Sequence, residues 1–571
     1  MSRQGQDDQA QGSWDVIVVG AGAAGLTAAC KAAADGASVL LLEQADVVGG
    51  TTAISGGMVW IPANAKMAAI AQPDTLDNAR TYLEAVLPPG DRQRLNAFLS
   101  WGDEAVRDLE KRTSLRLQPV LTYPDYYPDL PGATSGGRVL EPVPFDASTL
   151  GTYFRMLRDP LAEFMLFGGM MISRQDIPHL RRLFSSFRSA LHVTKLLLRY
   201  GLQRLRAPRG TTLYLGNALA GRLLKSALDL GVTVRTGQTV DRLLTTADGR
   251  VIGVEVCDKN KARSGEHARQ GVILATGGLS HGGEARQNFV PAAAGNLTAT
   301  VSPGNAPRGA KLATDIGAAL SSPTKEGAFW VPASVFKRKD GSTGVFPHTV
   351  TDRAKPGLIA VDGEGKRFVN EAVSYHEFVK AQLANADRAI PSWLICDRRF
   401  LWKYGFGKIK PFSLSTRADV ASGYLKCANS IKALAEAITV PAESLQETIK
   451  RYNEYALRGE DPSFGKGGNI YQRHLGDAEN KPNPCVAPII NAPFYAVAVL
   501  PADLGMSSGI VTDPQARVLR SNGSAIDGLY ACGNDMASVM EGAYPGPGIT
   551  LGPAVTFGWL AGRNVVARER D

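Results

Sequence analysis

Three glycines and one acidic residue near the start of the 571-residue chain stand at a spacing that can do specific binding chemistry. Gly20, Gly22 and Gly25 form the pattern G-A-G-A-A-G, and Glu43 follows Gly25 by 18 positions. The first glycine permits a tight turn, and the second lets the backbone approach a pyrophosphate closely. The carboxylate can accept hydrogen bonds from ribose hydroxyl groups. The pattern therefore predicts a dinucleotide cofactor, either NAD or FAD.

The elements around these residues occur in the order that such a site requires. Residues 15–19 are a short β-branched run typical of a buried parallel strand, and residues 26–34 have a helical pattern that ends near Gly36. Residues 38–42 form a second buried strand. The helix would present unpaired N–H groups and the positive end of its dipole to a phosphate. We therefore predict an α/β fold with a Rossmann-like domain.

Small-residue loops recur along the chain next to other predicted elements. One covers residues 49–57, directly after Glu43, and another reads A-T-G-G at 275–278 after the strand 271–274. The remaining elements are an amphipathic helix from residue 216, strands at 232–235 and 251–256 around the turn Asp248-Gly249, and a strand that ends at Gly533-Asn534. In this order the set resembles the FAD-dependent fumarate reductase and succinate dehydrogenase flavoprotein superfamily. The resemblance implies FAD rather than NAD.

The same resemblance implies which residues bind the cofactor and how the chain divides into domains. The FAD-binding domain would comprise residues 1–325 and 500–571, with an inserted α+β substrate domain at 326–499. The cofactor-binding residues would be Gly20, Gly22, Ala23, Ala24, Gly25, Glu43, Gly49, Gly50, Thr51, Thr52, Ser55, Gly56, Gly57, Ala275, Thr276, Gly277, Gly533, Asn534, Gly548, Ile549 and Leu551.

Three tyrosine-containing strings suit a neutral ketone substrate better than a dicarboxylate. They read Y-P-D-Y-Y-P at 123–128, R-F-V-N-E-A-V-S-Y at 367–375 and Y-P-G-P-G at 544–548. A desolvated dicarboxylate needs Arg and His side chains to pair its charges. A ketone instead needs hydrogen-bond donors at its oxygen and a base for the neighbouring proton. Together the strings resemble those of 3-ketosteroid Δ1-dehydrogenase.

That resemblance implies a role for each of four residues. The Tyr544 hydroxyl and the Gly548 main-chain N–H would hold the C3 carbonyl oxygen and stabilise the enolate. Tyr375 would remove the proton from C2, with Tyr126 assisting it by a hydrogen bond. A phenol with a pKa near 10 is a poor base at neutral pH, and a second phenol that donates to it can improve it. The hydride at C1 would pass to N5 of the flavin.

Two enzyme alternatives stay open. A 3-ketosteroid Δ4-(5α)-dehydrogenase would keep the two donors at the ketone oxygen but should not need the Tyr126 string. A fumarate-reductase-like flavoprotein acting on another substrate would need Arg and His clustered over the flavin. The physiological electron acceptor, the preferred steroid and the oligomeric state do not follow from the sequence.

Composition indicates an ordinary globular protein. Hydrophobic residues make up 44% and charged residues 20% of the chain, which excludes a disordered or fibrous class. Six cysteines lack a C-x-x-C pair, so we expect neither a disulfide scaffold nor a metal site. The polar N-terminus has no signal-peptide core, and no apolar run is long enough to span a bilayer. We expect a cytoplasmic protein.

Positive charge is concentrated in residues 151–210, which we call the basic insert. It holds eleven Lys or Arg against three acidic residues, in a chain of net charge +9. From Leu180 to Leu205 its apolar residues, Phe184 among them, recur at helical spacing. The basic residues Arg181, Arg188, Lys195, Arg199 and Arg206 lie off this stripe, and Arg174 is another of the eleven. Such a helix is typical of the membrane interface. The insert is similar to the longer, membrane-associated form of the steroid dehydrogenases.

The basic insert has two further interpretations. The apolar stripe could pack against the protein's own core or against another subunit. Nucleic-acid binding would prefer basic residues interleaved with aromatic ones, whereas here the aromatic residues share the aliphatic stripe. We therefore predict no nucleic-acid partner and a peripheral location on the cytoplasmic face of a membrane.

Overall fold

The computed structural model describes residues 13–70, 73–173, 175–183, 186–301 and 308–567. Three residues of the basic insert, Arg174, Phe184 and Ser185, lie outside the described residues, as does the polar N-terminal segment 1–12. The four residues after 567 also lie outside them.

The strands belong to two large sheets and two small ones. In chain order they are β1 (Ser13–Val19), β2 (Val39–Glu43), β3 (Val59–Trp60), β4 (Leu117–Pro119), β5 (Val139–Pro142), β6 (Phe145–Asp146), β7 (Thr212–Leu213), β8 (Thr233–Thr236), β9 (Thr239–Thr245), β10 (Val251–Cys257), β11 (Arg263–Leu274), β12 (Ala328–Lys337), β13 (Thr343–Pro347), β14 (Leu358–Val361), β15 (Ser392–Asp397), β16 (Lys426–Ala428), β17 (Phe494–Met506), β18 (Arg517–Leu519) and β19 (Ala525–Ala531).

Helices occupy the connections between these strands. The α-helices are α1 (Ala23–Ala34), α2 (Leu76–Val86), α3 (Gln93–Arg112), α4 (Asp176–Arg181), α5 (Phe187–Arg204), α6 (Leu215–Asp229), α7 (Glu284–Gln287), α8 (Arg308–Thr314), α9 (Tyr375–Ala384), α10 (Ala386–Ala389), α11 (Arg398–Tyr404), α12 (Arg417–Ala421), α13 (Ile431–Ile438), α14 (Ala442–Ala456), α15 (Ile470–Leu475) and α16 (Leu551–Ala567). Short 3-10 helices cover Gly50–Ile54, Ala65–Ile70, Ala147–Met156, Ala162–Phe164, Ala292–Ala294 and Gly533–Asp535.

The first large sheet confirms the predicted α/β, Rossmann-like fold. Its strands run in the order β18-β19-β11-β1-β2-β8, and β1 pairs in parallel with both β2 and β11. Residues 16–19 of β1 and 39–42 of β2 are almost completely buried, as expected for strands covered on both faces. The helices α1 and α16 pack closely on one another beside this sheet. Parallel strands thus end together where α1 begins.

The second large sheet is antiparallel and lies mostly within residues 326–499, the segment predicted to form the substrate domain. Its strands run in the order β13-β12-β17-β15-β14, with β16 also paired to β17. The long strand β17 pairs with both β12 and β15, and α9 packs against β12. The sequence-based domain boundary at 499/500 lies inside β17. The chain therefore leaves this sheet only after Met506.

Two local predictions differ from the structure. The turn Asp248-Gly249 connects β9 to β10. The strand β9, which lies between β8 and this turn, is absent from the sequence-based prediction. The basic insert forms two helices, α4 and α5, rather than one, and the Ser186 side chain caps α5 by accepting the main-chain N–H of Ser189. A capping serine starts a new helix because it satisfies N–H groups that otherwise lack partners.

A buried ion cluster anchors the segment that carries Tyr126. The Arg138 guanidinium contacts Asp74 at 2.7 Å and Asp125 at 2.8 Å, and all three side chains are at most 1% exposed. The Trp60 indole N–H also donates to Asp125 at 3.0 Å. Burial raises the pKa of Asp125, and the Arg138 charge opposes that shift. The cluster therefore depends on its one buried cation.

We expect Arg138→Met to lower the free energy of unfolding by about 3–5 kcal/mol, because two carboxylates would stay buried without their cation. Urea unfolding at neutral pH measures this change. The control Arg80→Met removes the exposed pair with Asp77 and should cost less than about 1 kcal/mol. Equal, small losses for both variants would contradict the stabilising role of the cluster.

Candidate active site

Three tyrosines from distant parts of the chain meet in one buried hydrogen-bonded chain. The Tyr126 hydroxyl donates to the Tyr375 hydroxyl at 2.9 Å, and the Tyr375 hydroxyl donates to that of Tyr544 at 2.7 Å. Their rings pack at centroid separations of 5.1–5.6 Å, and each side chain is at most 6% exposed. The structure thus brings together all three tyrosines that the sequence strings singled out.

Main-chain contacts of neighbouring residues hold these tyrosines in place. The Tyr126 N–H donates to the Pro545 carbonyl at 2.9 Å, which joins the first string to the third. The Tyr82 hydroxyl donates to the same carbonyl. Tyr375 is the first residue of α9, and the Ser374 side chain caps that helix by accepting the Glu377 N–H. Each tyrosine therefore sits where a loop or a helix start is fixed by hydrogen bonds.

Gly548 lies four residues after Tyr544 in a conformation that favours glycine. Its φ is +95°, and a Cβ atom would lie 2.4 Å from the Met58 carbonyl oxygen. Its carbonyl accepts the N–H groups of Trp60 and Gly552. Within the described ranges, its own N–H and the Tyr544 hydroxyl hydrogen donate to no protein acceptor. The site thus keeps two hydrogen-bond donors available to a ligand.

The environment keeps the three phenols uncharged. Burial raises the pKa of Tyr375 well above its usual range, and a nearby Tyr544 phenolate would raise it further. The hydrogen bond from Tyr126 acts in the opposite direction and lowers the pKa of Tyr375. Burial likewise raises the pKa of Tyr126 and Tyr544. Any phenolate in this cluster therefore needs stabilisation beyond the phenols themselves.

A small pocket lies between the predicted cofactor loops and Phe329, which contacts the tyrosine cluster. Phe329 lines this cavity and packs edge-on against the Tyr544 ring at 5.5 Å. Gly533, Asn534 and Ile549, three predicted cofactor residues, also line it. The remaining lining residues are Met506, Met536, Ser538, Val539, Thr550 and Pro553. The pocket thus places predicted cofactor residues and the aromatic ring that packs on Tyr544 around one space.

The first glycine loop forms a cradle that fits a diphosphate. A Cβ on Gly25 would lie 1.9 Å from the Gly20 carbonyl oxygen, so the turn requires glycine. Gly22 is the N-cap of α1 and has no side chain to satisfy the first N–H groups. A Cβ there would meet only the Thr52 hydroxyl, at 3.9 Å, and a Cβ on Gly50 would lie 3.6 Å from Gly22. Open space therefore adjoins the start of the helix, where phosphates bind.

Glu43 ends β2 beside this cradle. One carboxylate oxygen accepts the Ala21 N–H and the other the Ala45 N–H, each at 2.9 Å. Burial raises the pKa of Glu43, and these N–H groups partly offset that shift. Because each carboxylate oxygen can accept a further bond, the side chain suits ribose hydroxyls.

Several predicted cofactor residues of the loop at 49–57 also make contacts within the protein. Thr52 accepts the Ala23 N–H at 3.0 Å, and Thr51 accepts the Val301 N–H at 3.1 Å. Ser55 donates to the Thr52 carbonyl. Among the glycines of the loop, Gly56 is exposed and Gly49 lies against Ala53. A Cβ added to Gly57 would lie 2.4 Å from the main chain of Gly216. The loop is thus tied to α1 and α6.

Asp535 is a buried residue at this site that sequence reasoning missed. Its carboxylate accepts the Thr276 hydroxyl at 2.8 Å and the Gly278 N–H at 2.9 Å, and it also accepts the Thr276 N–H. Burial raises the pKa of Asp535, and the Thr276 N–H opposes the shift. Asp535 therefore links the A-T-G-G loop, with Ala275 and Gly277, to the loop at Gly533-Asn534. The sequence feature that could have identified Asp535 is its position directly after the Gly533-Asn534 pair.

Comparison with known proteins agrees with this geometry. The family model described as "FAD binding domain" matches residues 15–551. The chain is 38% identical to 4-oxocyclohex-2-ene-1-carboxylate 5-dehydrogenase of Sinomonas cyclohexanicum, over 96% of this chain and 93% of that protein. It is 36% identical to 3-oxosteroid 1-dehydrogenase of Mycolicibacterium smegmatis, over 97% of each.

A solved structure extends the likeness to the fold. The crystal structure of 3-ketosteroid Δ1-dehydrogenase from Sterolibacterium denitrificans, in complex with 1,4-androstadiene-3,17-dione, superposes with a TM-score of 0.89 at 37% identity. It covers 97% of this chain and 100% of that one. The chain belongs to the FAD-dependent 3-ketosteroid Δ1-dehydrogenase family. Like other members of that family, it is an oxidoreductase that uses FAD.

We expect Gly22→Val to preserve the fold and to weaken FAD binding by at least about 100-fold, because the side chain would fill the cradle. Titration of the apoprotein with FAD, followed by flavin fluorescence, measures the affinity, and circular dichroism reports the fold. The same substitution at Gly201, where an added Cβ meets nothing within 4 Å, should leave FAD affinity unchanged. A yellow, tightly loaded Gly22→Val protein would contradict this prediction.

Proposed function

We propose that the protein inserts a C1–C2 double bond into a 3-ketosteroid such as cholest-4-en-3-one or androst-4-ene-3,17-dione. One observation carries this proposal: the Tyr544 hydroxyl hydrogen and the Gly548 N–H have no acceptor among the described residues, at the end of a hydrogen-bonded chain through Tyr375. Two donors at a carbonyl oxygen stabilise the enolate that forms when the neighbouring carbon loses a proton. Relatives named 3-oxosteroid 1-dehydrogenase support this choice of ketone.

Each residue then has a separate part in moving the proton. Tyr544 and Gly548 hold the ketone oxygen, which makes the C2 proton more acidic. Tyr375 accepts that proton as a phenolate, and the hydrogen bond from Tyr126 favours its charged form. The apolar packing around the phenols excludes water from the site. FAD, when bound, supplies the acceptor for the hydride that leaves C1.

The choice between a steroid and a smaller ring ketone depends on charge. One relative is named for a cyclohexene carboxylate, and a buried carboxylate needs a cation with free donors. Among the described residues, the buried cation whose pKa a charged Tyr126 or Tyr375 would raise is Arg353, and its guanidinium hydrogen bonds go to main-chain carbonyls. A neutral ketone therefore suits the site better. The Δ4-(5α) alternative and the fumarate-type alternative do not explain why Tyr126 donates to Tyr375.

We expect the holoenzyme to oxidise cholest-4-en-3-one anaerobically, with bleaching of the flavin and a product two hydrogens lighter. Tyr375→Phe and Tyr544→Phe should each lower the rate of flavin reduction by about 10²–10³-fold, because each removes one polar group from the transition state. Stopped-flow absorbance measures the rate, and mass spectrometry with NMR places the double bond.

The control Tyr153→Phe, at a residue 47% exposed, should reduce the flavin at the wild-type rate. A double bond at C4–C5 would support the Δ4-(5α) alternative instead. Oxidation of 4-oxocyclohexanecarboxylate but of no steroid in the panel would overturn the steroid assignment while retaining the ring-ketone chemistry.

We also propose that the basic insert holds the enzyme on the cytoplasmic face of a membrane. Helix α5 buries Val193 and Leu196, whereas the predicted apolar stripe lies on its exposed side. The exposed members of that stripe are Phe187, Leu191, Leu198, Leu202 and Leu205. Basic side chains border it, and anionic lipid attracts each by about 1 kcal/mol near the surface. None of the described helices is long and apolar enough to cross a bilayer.

The position of the basic insert agrees with delivery of substrate from lipid. Phe164 packs on Phe346 of β13 at 5.7 Å, and Glu163 pairs with Arg338 after β12 at 3.5 Å. Both strands belong to the sheet on the substrate side of the molecule. A nearly insoluble steroid could therefore pass from the membrane toward that sheet without crossing water.

We expect Leu198→Glu combined with Leu202→Glu to lower binding to vesicles of mixed phosphatidylcholine and phosphatidylglycerol by at least about tenfold. These residues are 65% and 67% exposed, so stability should change little. Vesicle cosedimentation measures binding. The control Leu457→Glu, at a residue 70% exposed on another helix end, should bind like wild type. Unchanged binding of the double variant, or a change of oligomeric state instead, would contradict the membrane role.

A further inference from the structure

The hydroxyl group of Tyr127 joins the loop that carries Tyr126 to the helix that carries Tyr375. It donates to the Glu377 carboxylate at 2.7 Å. Tyr127 directly follows Tyr126, and Glu377 lies two positions after Tyr375 in α9. The same two segments therefore meet in two neighbouring contacts, the one from Tyr127 to Glu377 and the 2.9 Å hydrogen bond from Tyr126 to Tyr375.

The main chain of Tyr127 is connected to the third tyrosine segment. Its N–H donates to the Tyr82 hydroxyl at 3.4 Å, and that hydroxyl donates to the Pro545 carbonyl. Pro545 directly follows Tyr544. Tyr127 thus contacts α9 through its side chain and, through Tyr82, the loop that carries Tyr544.

Glu377 is held as an acceptor by its own surroundings. Lys380, one turn later in α9, contacts the same carboxylate oxygen at 2.9 Å and lies 3.6 Å from the Glu326 carboxylate, just before β12. The Ser374 hydroxyl accepts the Glu377 main-chain N–H at 3.2 Å. Glu377 and Lys380 are 29% and 33% exposed, so their ion pair by itself stabilises the fold little. The pair instead gives the Tyr127 hydroxyl a fixed acceptor.

The contact between Tyr126 and Tyr375 needs such a neighbour. Tyr126 lies in a segment without helix or strand between β4 and β5, whereas Tyr375 begins a helix. A side-chain hydrogen bond is lost beyond about 3.5 Å, and a displacement of about 1 Å can cost roughly 100-fold in rate. A second contact one residue away restrains the loop against such a displacement.

We propose that Tyr127 and Glu377 form a clamp that sets the hydrogen bond from Tyr126 to Tyr375. Both are positioning residues, which act through their neighbours in the chain. The inference rests on the proposed function, because that function makes Tyr375 the base and Tyr126 its donor. When the clamp is removed, Tyr126 moves away from Tyr375, and the phenolate that accepts the C2 proton loses its donor.

The isosteric variant Tyr127→Phe removes the clamp without changing any charge. We compare it with wild type as FAD-loaded holoenzymes, through crystal structures and the pH profile of anaerobic flavin reduction by cholest-4-en-3-one. The distance between the Tyr126 and Tyr375 hydroxyls should increase from 2.9 Å to beyond about 3.5 Å. Loss of a donor raises the pKa of the phenolate base, so the rising limb of the profile should move to higher pH by about one unit. At a fixed pH on that limb, the rate should fall about tenfold.

Two substitutions of Glu377 separate the clamp from the charge of its carboxylate. Glu377→Ala removes the acceptor and should repeat the shift to higher pH. Glu377→Gln keeps an oxygen acceptor and should recover at least half of the lost rate. Removal of a negative charge by itself would favour the phenolate and move the profile to lower pH, so a shift in that direction would contradict the clamp.

The double variant Tyr127→Phe with Glu377→Ala tests whether the two residues act as one unit. It should lose no more rate than the more affected single variant, because each substitution already removes the same contact. Fully additive losses would contradict the clamp.

The other titratable or charged groups around Tyr375 and the clamp are unchanged in Tyr127→Phe. They are the phenols of Tyr123, Tyr126, Tyr471 and Tyr544; His376 and Lys380 on α9; Glu326 before β12; Arg353 with Asp352; and Glu371 with Arg367 and Lys466.

The matched control is Tyr404→Phe. Tyr404 ends α11 and donates to the Asp477 carboxylate at 2.6 Å, and Lys403 contacts the same carboxylate at 2.5 Å. This variant removes the same kind of contact between a phenol and a lysine-paired carboxylate, and it should leave the pH profile in place. Equal shifts in Tyr404→Phe and Tyr127→Phe would indicate a general loosening of the fold and overturn the clamp.

The hydroxyl distance separates this proposal from the proposed function. A distance that stays at 2.9 Å in Tyr127→Phe would overturn the clamp, whatever the rate. A lengthened contact, in a protein whose wild type oxidises no steroid, would retain the clamp and reject the substrate. A lengthened contact with an unshifted profile would retain the clamp and reject the assisting role of Tyr126.

Discussion

The removal of water from three phenol groups is the constraint on which the rest of the site depends. A phenol can be buried without charge, so the pocket stays compatible with an apolar ring system. The same burial makes the phenol a poor base, because it raises the pKa of Tyr375. The structure places a donor, Tyr126, on one side of Tyr375, and the proposed function assigns the Tyr544 hydroxyl and the Gly548 N–H on the other side to the substrate oxygen. Proton transfer is then a shift of charge between prearranged partners.

This arrangement demands accuracy from segments that are far apart in sequence. Tyr126 lies in a loop, Tyr375 starts a helix and Tyr544 lies before the last helix, so no single element can align them. The Pro545 carbonyl helps to hold Tyr126 close to Tyr544, because it accepts hydrogen bonds from the Tyr126 main chain and from the Tyr82 hydroxyl. The ion cluster at Arg138 fixes the first loop from the opposite side. Such rigid surroundings keep hydroxyl groups at hydrogen-bonding distance without solvent.

Local patterns explain which parts of the molecule were predictable. The strand, glycine turn, helix and second strand around Gly22 follow from residues next to one another, and the structure confirms them. The tyrosines came from resemblance to a family, because nothing in the spacing of Tyr126, Tyr375 and Tyr544 brings them together. Asp535 was missed since it acts on backbone groups supplied by tertiary contacts. The two-helix form of the basic insert was missed because a stripe of apolar residues continues across the cap at Ser186.

The insert also shows why an apolar stripe alone does not identify a buried face. In α5 the stripe with the strongest helical pattern is exposed, whereas contact with the protein uses a narrower face that includes Val193 and Leu196. Exposure of the larger apolar face of a helix to water is unfavourable in free energy unless lipid or another protein covers that face. Lipid is the covering that agrees with the surrounding charge, since basic residues bordering an apolar face gain from anionic headgroups. Lipid is also the phase in which a sterol ketone is most concentrated. The proposed membrane contact would therefore use one surface both to hold the enzyme at the lipid and to receive its substrate.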